Sequence, residues 1–205
     1  PADFGYGVGM RSETTAPAVA GESGDRAMAA DALEALTHAP VMLAEAMAVL
    51  TPRPGEVLVD ATLGLGGHAG ALRRALDGRG VLIGVDRDAQ MLARARARLD
   101  GEAGASVRTF HAGFAELDAV LRKAGEEGAD GILLDLGFAS PQVDDPARGF
   151  SYRVDGPLDM RMNPEDGGPT AAEWLRGATE QEIADVIYRY GEERASRRLA
   201  RAIVR

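Results

Sequence analysis

The chain has 205 residues, 45% of them apolar and 27% charged, enough hydrophobic material for a core and too much for wholesale disorder. It contains no cysteine, which excludes a disulfide framework, a thiolate metal site and a cysteine nucleophile. The formal net charge of −9 weighs against a nucleic-acid partner only in bulk, because phosphate contacts need positive charge locally.

Residues 1–37 are rich in Gly, Ala, Ser and Thr, show no sustained period, and read as a disordered tail. There is no apolar run of membrane-spanning length and no basic-then-apolar leader, so a cytoplasmic protein is expected. "PVMLAEAMAVL" suits a helix with Pro40 in its first turn, stopped by "TPRPG" at 51–55. Val57, Leu58 and Val59 then read as a buried strand, and "HAGALRRAL" as a helix behind a glycine turn. "GVLIGVDRD" (80–88) is a second strand, and 89–99 is a helix with Met91, Leu92, Ala95 and Leu99 at helical spacing. "SVRTFHAGF" (106–114) is a third strand, "AELDAVLRKAG" a helix ended by Gly125, and "DGILLDLG" (130–137) a fourth strand. Strands alternating with helices imply parallel pairing. After residue 140 the strand signals stop. A long loop dense in Pro, Gly and charge follows, then two helices opened by Thr170 with Glu173 and by Thr179 with Glu182. Gly191 is expected to end the second of these, and "EERASRRLARAIVR" to form a third.

The stretch "VLVDATLGLGGHAG" (57–70) holds four glycines in seven positions. Such a turn between strand and helix places backbone N–H groups and a helix N-terminus at the sheet edge where ligands bind. The dinucleotide spacing GxGxxG is not met, since Gly64 and Gly66 are followed by Gly67 and Gly70. Asp60 would repel a pyrophosphate but attract the ammonium and sulfonium of S-adenosylmethionine. Asp86, twenty residues after Gly66, suits the hydroxyls of a ribose in either ligand. The two strands favour a methyltransferase over a dehydrogenase. Asp135 stands near the end of strand four and Ser140-Pro141 in the loop behind it, where they serve equally as a turn carboxylate and ordinary turn or as groups at the reacting end of the ligand.

Six blocks then carry a resemblance: "THAPVML" (37–43), "DATLGLGGH" (60–68), "DRD" (86–88), "DGILLDLGFASPQVDDPARGFSYRVDGPLDMRM" (130–162), "AAEWL" (171–175) and "YGEERASRRLARAIV" (190–204). Together they resemble the bacterial 16S ribosomal RNA cytosine-N4 methyltransferases, which modify a cytidine in the decoding region of the small subunit. The match begins near Thr37, and Phe138-Ala139 stand where that family usually has valine and serine. The resemblance implies an α/β fold: a Rossmann-like S-adenosylmethionine-dependent methyltransferase sheet, incomplete here, with a helical inserted subdomain. The expected organisation is a tail over 1–37, a donor-binding domain over 38–140, and a loop with a helical substrate-recognition subdomain over 141–205. It also implies that Gly66, Gly67 and His68 hold the methionine part of the donor, that Asp86 takes the ribose, and that Phe114 lies beside the adenine. Asp135 and Gln142 match the remaining cofactor-contacting positions, and Asp135, Ser140 and Pro141 are the candidate catalytic positions.

Methyl transfer from a sulfonium is an in-line displacement that demands alignment. The N4 amine of cytosine is a weak nucleophile, and an acceptor at Asp135 or a carbonyl near Ser140-Pro141 would hold it out of conjugation. Methylation at carbon 5 needs a thiolate, and this chain has no cysteine. No ligand spacing joins His38, His68 and His111, which excludes a His/Cys metal site. The expected partner is 16S ribosomal RNA or the small ribosomal subunit, with a homodimer compatible with the pattern and no membrane. The target base must leave its stack. Arg189, Arg194, Arg197, Arg198, Arg201 and Arg205 stand against Glu192 and Glu193 near the end of the chain, a pattern that suits a solvated face or an RNA contact. With four strands only, strand four is expected at a bare hydrophobic edge, and the chain is expected to be a fragment. The competing readings are an NAD-dependent oxidoreductase and a non-catalytic RNA-binding or ribosome assembly module of the same fold.

Overall fold

The structure is a computed structural model and describes residues 40–205; the expected tail and His38 lie outside the described residues. Helix α1 (Leu43–Leu50) comes first. Pro40 precedes this helix rather than occupying its first turn, because Met42 takes a left-handed φ of 52° and helical geometry starts after it. Thr51 ends the helix, its N–H returning to the Met47 carbonyl at 2.9 Å.

The alternation read from the sequence is present: β1 (Val57–Asp60), α2 (Gly67–Ala75), β2 (Val81–Asp86), α3 (Ala89–Asp100), β3 (Ser106–His111), α4 (Leu117–Ala124) and β4 (Gly131–Leu133). All the strand pairs are parallel and the sheet order is β3-β2-β1-β4. The chain steps outward from β1 to β3 and then returns to the other side of β1. That reversal opens a crevice at the C-terminal ends of β1 and β4, the usual ligand position in such sheets.

Both sheet faces are covered, so neighbouring strand residues are buried on opposite sides. Leu58 and Leu82 pack with Leu72, Leu76, Leu92 and Leu99 on one face, while Val59, Ile83 and Val85 pack with Val120 on the other. Each such leucine contributes roughly 2 kcal/mol of transfer free energy. Met91, Leu92, Ala95 and Leu99 are all buried, as their spacing requires.

Three expectations about the strands and the loop need correction. β3 stops at His111, and Phe114 instead opens a 3₁₀ turn, Phe114–Glu116. β4 has three residues, not eight. Beyond Leu133 the Asp135 N–H turns away to the Thr62 hydroxyl at 2.7 Å, which ends the ladder. Among the described residues β4 is one of the two sheet edges, with Ile132 44% exposed. The stretch after residue 140 is not a plain loop, since it holds helix α5 (Ser140–Asp144) and 3₁₀ turns at Pro146–Arg148 and Pro164–Asp166. Its prolines read as breakers, yet Pro141, Pro146 and Pro164 each stand in a first turn, where no N–H is needed.

Helices α6 (Ala171–Gly177), α7 (Glu180–Gly191) and α8 (Ser196–Val204) follow. Both expected capping boxes form. Thr170 and Thr179 accept the N–H of Glu173 and Glu182, and those carboxylates accept the threonine N–H groups at 2.8 Å. Gly191 is the last helical residue and not the terminator; Glu192, at φ 53°, reverses the chain. Ile183, Ala184 and Ala200 form a small core between α7 and α8. No helix among the described residues is long and apolar enough to cross a membrane.

Candidate active site

The glycine turn occupies the crevice end of β1. Gly64 and Gly66 take φ of 52° and 76°, and Gly66 caps α2. Gly67 already belongs to the helix, and a side chain there would stand 2.5 Å from the Pro40 ring. Gly70 is also helical and so is not part of the turn. From inside the sheet, Leu63 fills the space that a side chain at Gly84 would need; a Cβ there would come within 2.9 Å of it. The Leu63 N–H also donates to the Val85 carbonyl at 2.9 Å.

Asp60 is buried at the end of β1, where its carboxylate accepts the Thr62 N–H at 3.2 Å. Burial pushes its pKa up to about 6; the Thr62 hydrogen bond and His68 oppose the rise, and Asp86 and Asp135 add to it. His68 is buried, with Nε2 donating to the Val41 carbonyl at 3.0 Å and Nδ1 3.7 Å from the Asp135 carboxylate. Asp86 ends β2 and accepts two main-chain donors, the Gly64 N–H at 2.7 Å and the Asp88 N–H at 2.8 Å. Burial raises its pKa while those two donors lower it, and the net displacement is upward. Phe114 stands 51% exposed beyond the end of β3, next in the sheet to β2.

Asp60, Asp86 and Asp135 thus gather around one glycine-lined corner, with His68 between the first and the last. A carboxylate has about four acceptor positions, so Asp86 can hold the turn and still receive hydroxyl donors. Ser140 opens helix α5 with Pro141 behind it, following the exposed Asp135 by a short link. Gln142 differs from the others: it is buried, its Nε2 donates to Asp88 at 2.8 Å, and its Oε1 accepts the Ala139 N–H at 2.8 Å. Sequence reasoning missed Thr62, which anchors Asp135, and Asp88, whose helix-capping role is legible as an acid just ahead of an apolar period. It also missed Arg148, buried against Asp88 across sixty positions, for which no local signal exists.

Residues 35–205 match the family described as the MraW methylase family. The chain is 51% identical over 171 residues to the ribosomal RNA small subunit methyltransferase H of Syntrophobacter fumaroxidans, covering 83% of this chain and 53% of that protein. It is 47% identical over 180 residues to the protein of the same name from Novosphingobium aromaticivorans, covering 86% of this chain and 53% of that one. Among solved structures, NSun6 from Pyrococcus horikoshii with SFG is 22% identical, with a TM-score of 0.39 over 47% of this chain and 24% of that one, an overlap too small to argue from. The chain spans about half the length of the curated relatives it matches. With the glycine turn, the acid corner and this match over 171 residues in agreement, the chain belongs to the MraW methylase family.

Proposed function

We propose that this chain carries the methyl-donor site of a methyltransferase that modifies the N4 amine of a cytidine in 16S ribosomal RNA. The observation that carries the reading is the convergence of three carboxylates on the glycine turn at the sheet's switch point. Negative charge there rejects a pyrophosphate and suits a cationic ligand. That donor set fits S-adenosylmethionine, which when bound supplies an electrophilic methyl group on a sulfonium.

Each residue has a task that its position allows. Asp60 supplies buried negative charge beside the turn, and the turn formed by Gly66, Gly67 and His68 offers close backbone approach to the amino-acid part of the donor. Asp86 receives the ribose hydroxyls. Phe114 offers an exposed ring face against which an adenine can stack. Asp135, held by Thr62 and facing His68, is placed to accept a proton from the amine, with Ser140 and Pro141 shaping the target side. Gln142 contributes by holding the start of α5 to Asp88. In α8 the sequence places Arg197, Arg198 and Arg201 along the exposed side, with Arg205 just past its end, away from buried Ser196 and Ala200, which suits RNA phosphates. The relatives' name, ribosomal RNA small subunit methyltransferase H, supports the same substrate.

Calorimetric titration with S-adenosylmethionine tests the donor site. The wild-type chain is expected to bind and Asp60→Asn to bind more weakly at pH 7.5 (a buffer choice of roughly neutral pH at which Asp60 is ionised). No heat with the wild type would sink the reading. Mass spectrometry of cytidine from unmodified small subunits, after incubation with the full-length protein, tests the target atom.

A further inference from the structure

Behind Asp86 lies a buried polar cluster with no task in donor or target recognition. Asp88 caps α3 by accepting the Gln90 and Met91 N–H groups at 2.9 and 3.3 Å through one oxygen. Its other oxygen accepts from Gln142 at 2.8 Å and from Arg148 Nη1 at 2.7 Å. The two partners of that ion pair are 2% and 6% exposed. Arg148 Nη2 donates to the carbonyls of Arg161 at 3.1 Å and Met162 at 2.8 Å. Its Nε is buried without a partner, and the guanidinium lies 5.8 Å from the centre of the Phe150 ring, which packs in turn on Phe138 at 4.8 Å. Because the Asp88 N–H donates to Asp86, and Asp86 accepts from Gly64, hydrogen bonds run unbroken from the glycine turn to Met162.

A buried ion pair is a poor source of stability, since an apolar pair of equal volume is often as stable. What it adds is direction. A guanidinium fixed by a carboxylate and two carbonyls has one orientation, and a lysine ammonium cannot reproduce that fork. Burial raises the Asp88 carboxyl while the bonds from Gln142 and Arg148 lower it, and the net effect holds it below the usual range, ionised for this pairing.

We propose that Arg148 is a positioning residue: by joining Asp88 to the Arg161 and Met162 carbonyls it docks the segment from Ala139 to Met162 on the ligand-facing tip of β2. The orientation of Asp86 and the placement of Ser140–Gln142 are thereby set together. This rests on the donor-site reading above.

The test titrates S-adenosylhomocysteine into the wild-type chain, Arg148→Met, Arg148→Lys and the double variant Asp88→Asn/Arg148→Met, at a temperature where urea denaturation shows each to be folded. A merely structural role leaves the affinity of folded protein unchanged. Positioning instead weakens binding by about tenfold in Arg148→Met. Arg148→Lys gives no rescue, and the double variant is no worse than the single one. In the full-length protein, KM for the donor rises, and KM for RNA rises with it, because the same anchor places Ser140 and Pro141 on the target side. Where Arg148→Met fails to fold, Arg148→Lys decides, because it keeps the buried charge. Wild-type affinity in a folded Arg148 variant overturns the proposal, whereas absence of heat with the wild type overturns the donor-site reading instead.

Discussion

Replacing Asp60 by Asn should stabilise the fold and weaken the donor site at the same time. Burial raises the Asp60 pKa from 3.8 to about 6. Each tenfold change in proton affinity is worth about 1.4 kcal/mol, so the displacement amounts to about 3 kcal/mol. The native protein holds this proton more tightly than the unfolded chain does. Stability therefore falls as pH rises from about 4 to about 6 and stays lower above that range. Asn keeps an oxygen for the Thr62 N–H but carries no charge, so its advantage over wild type should be near zero at pH 4 and reach about 3 kcal/mol by pH 7. Urea denaturation of both proteins across this range measures the difference, which also carries the coupling of Asp60 to His68, Asp86 and Asp135, the charged groups that face it. Donor affinity should move the other way. Wild type should bind about tenfold more weakly at pH 5 than at pH 7, because Asp60 must then lose a proton for the cation to bind. Asp60→Asn should lack that component and bind weakly throughout. A stability difference that stays flat from pH 4 to 7 would refute the burial argument, and equal donor affinities at pH 7 would refute the electrostatic one.

Other perturbations test neighbouring links. Gly67→Ala drives a methyl group into the Pro40 ring, which should cost about 1–3 kcal/mol in urea denaturation and weaken donor binding. Thr179→Ala removes the acceptor for the Glu182 N–H and should cost about 1 kcal/mol, with donor affinity unchanged by calorimetry. Arg197→Ala with Arg198→Ala should weaken ribosomal RNA binding and reduce the salt-dependence slope by about 1.4, if each contacts one phosphate of a single strand. Filter binding across a salt series measures it, and an unchanged slope would leave these arginines as a solvated face.

The sheet was legible because its signals are local. A run such as "VLIGVD" needs no distant partner to be a buried strand, and Met91, Leu92, Ala95 and Leu99 declare their helix face by spacing alone. Threonine followed three places later by glutamate was enough to locate the starts of α6 and α7. The corner residues Asp60 and Asp86 could be read because strand ends in a parallel sheet meet at one edge whatever the details. What escaped was set by long-range geometry. β4 ends early because the hydroxyl of Thr62, 73 positions away, takes the Asp135 N–H. Nothing in "ASPQVDD" shows that the amide of Gln142 bonds to Asp88, 54 positions away. Arg148 carries no local signal of burial, and only the fold encloses its charge against Asp88.

Leu63 occupies the room left by the missing side chain of Gly84, so the ligand-facing bend is seated from the hydrophobic interior as well as by its own glycines. A single added methyl on β2 would lift the bend off its seat and shift the amide groups it presents. Affinity for the methyl donor can therefore be retuned from a residue that the donor never meets, and a screen confined to pocket-lining positions would pass over that lever.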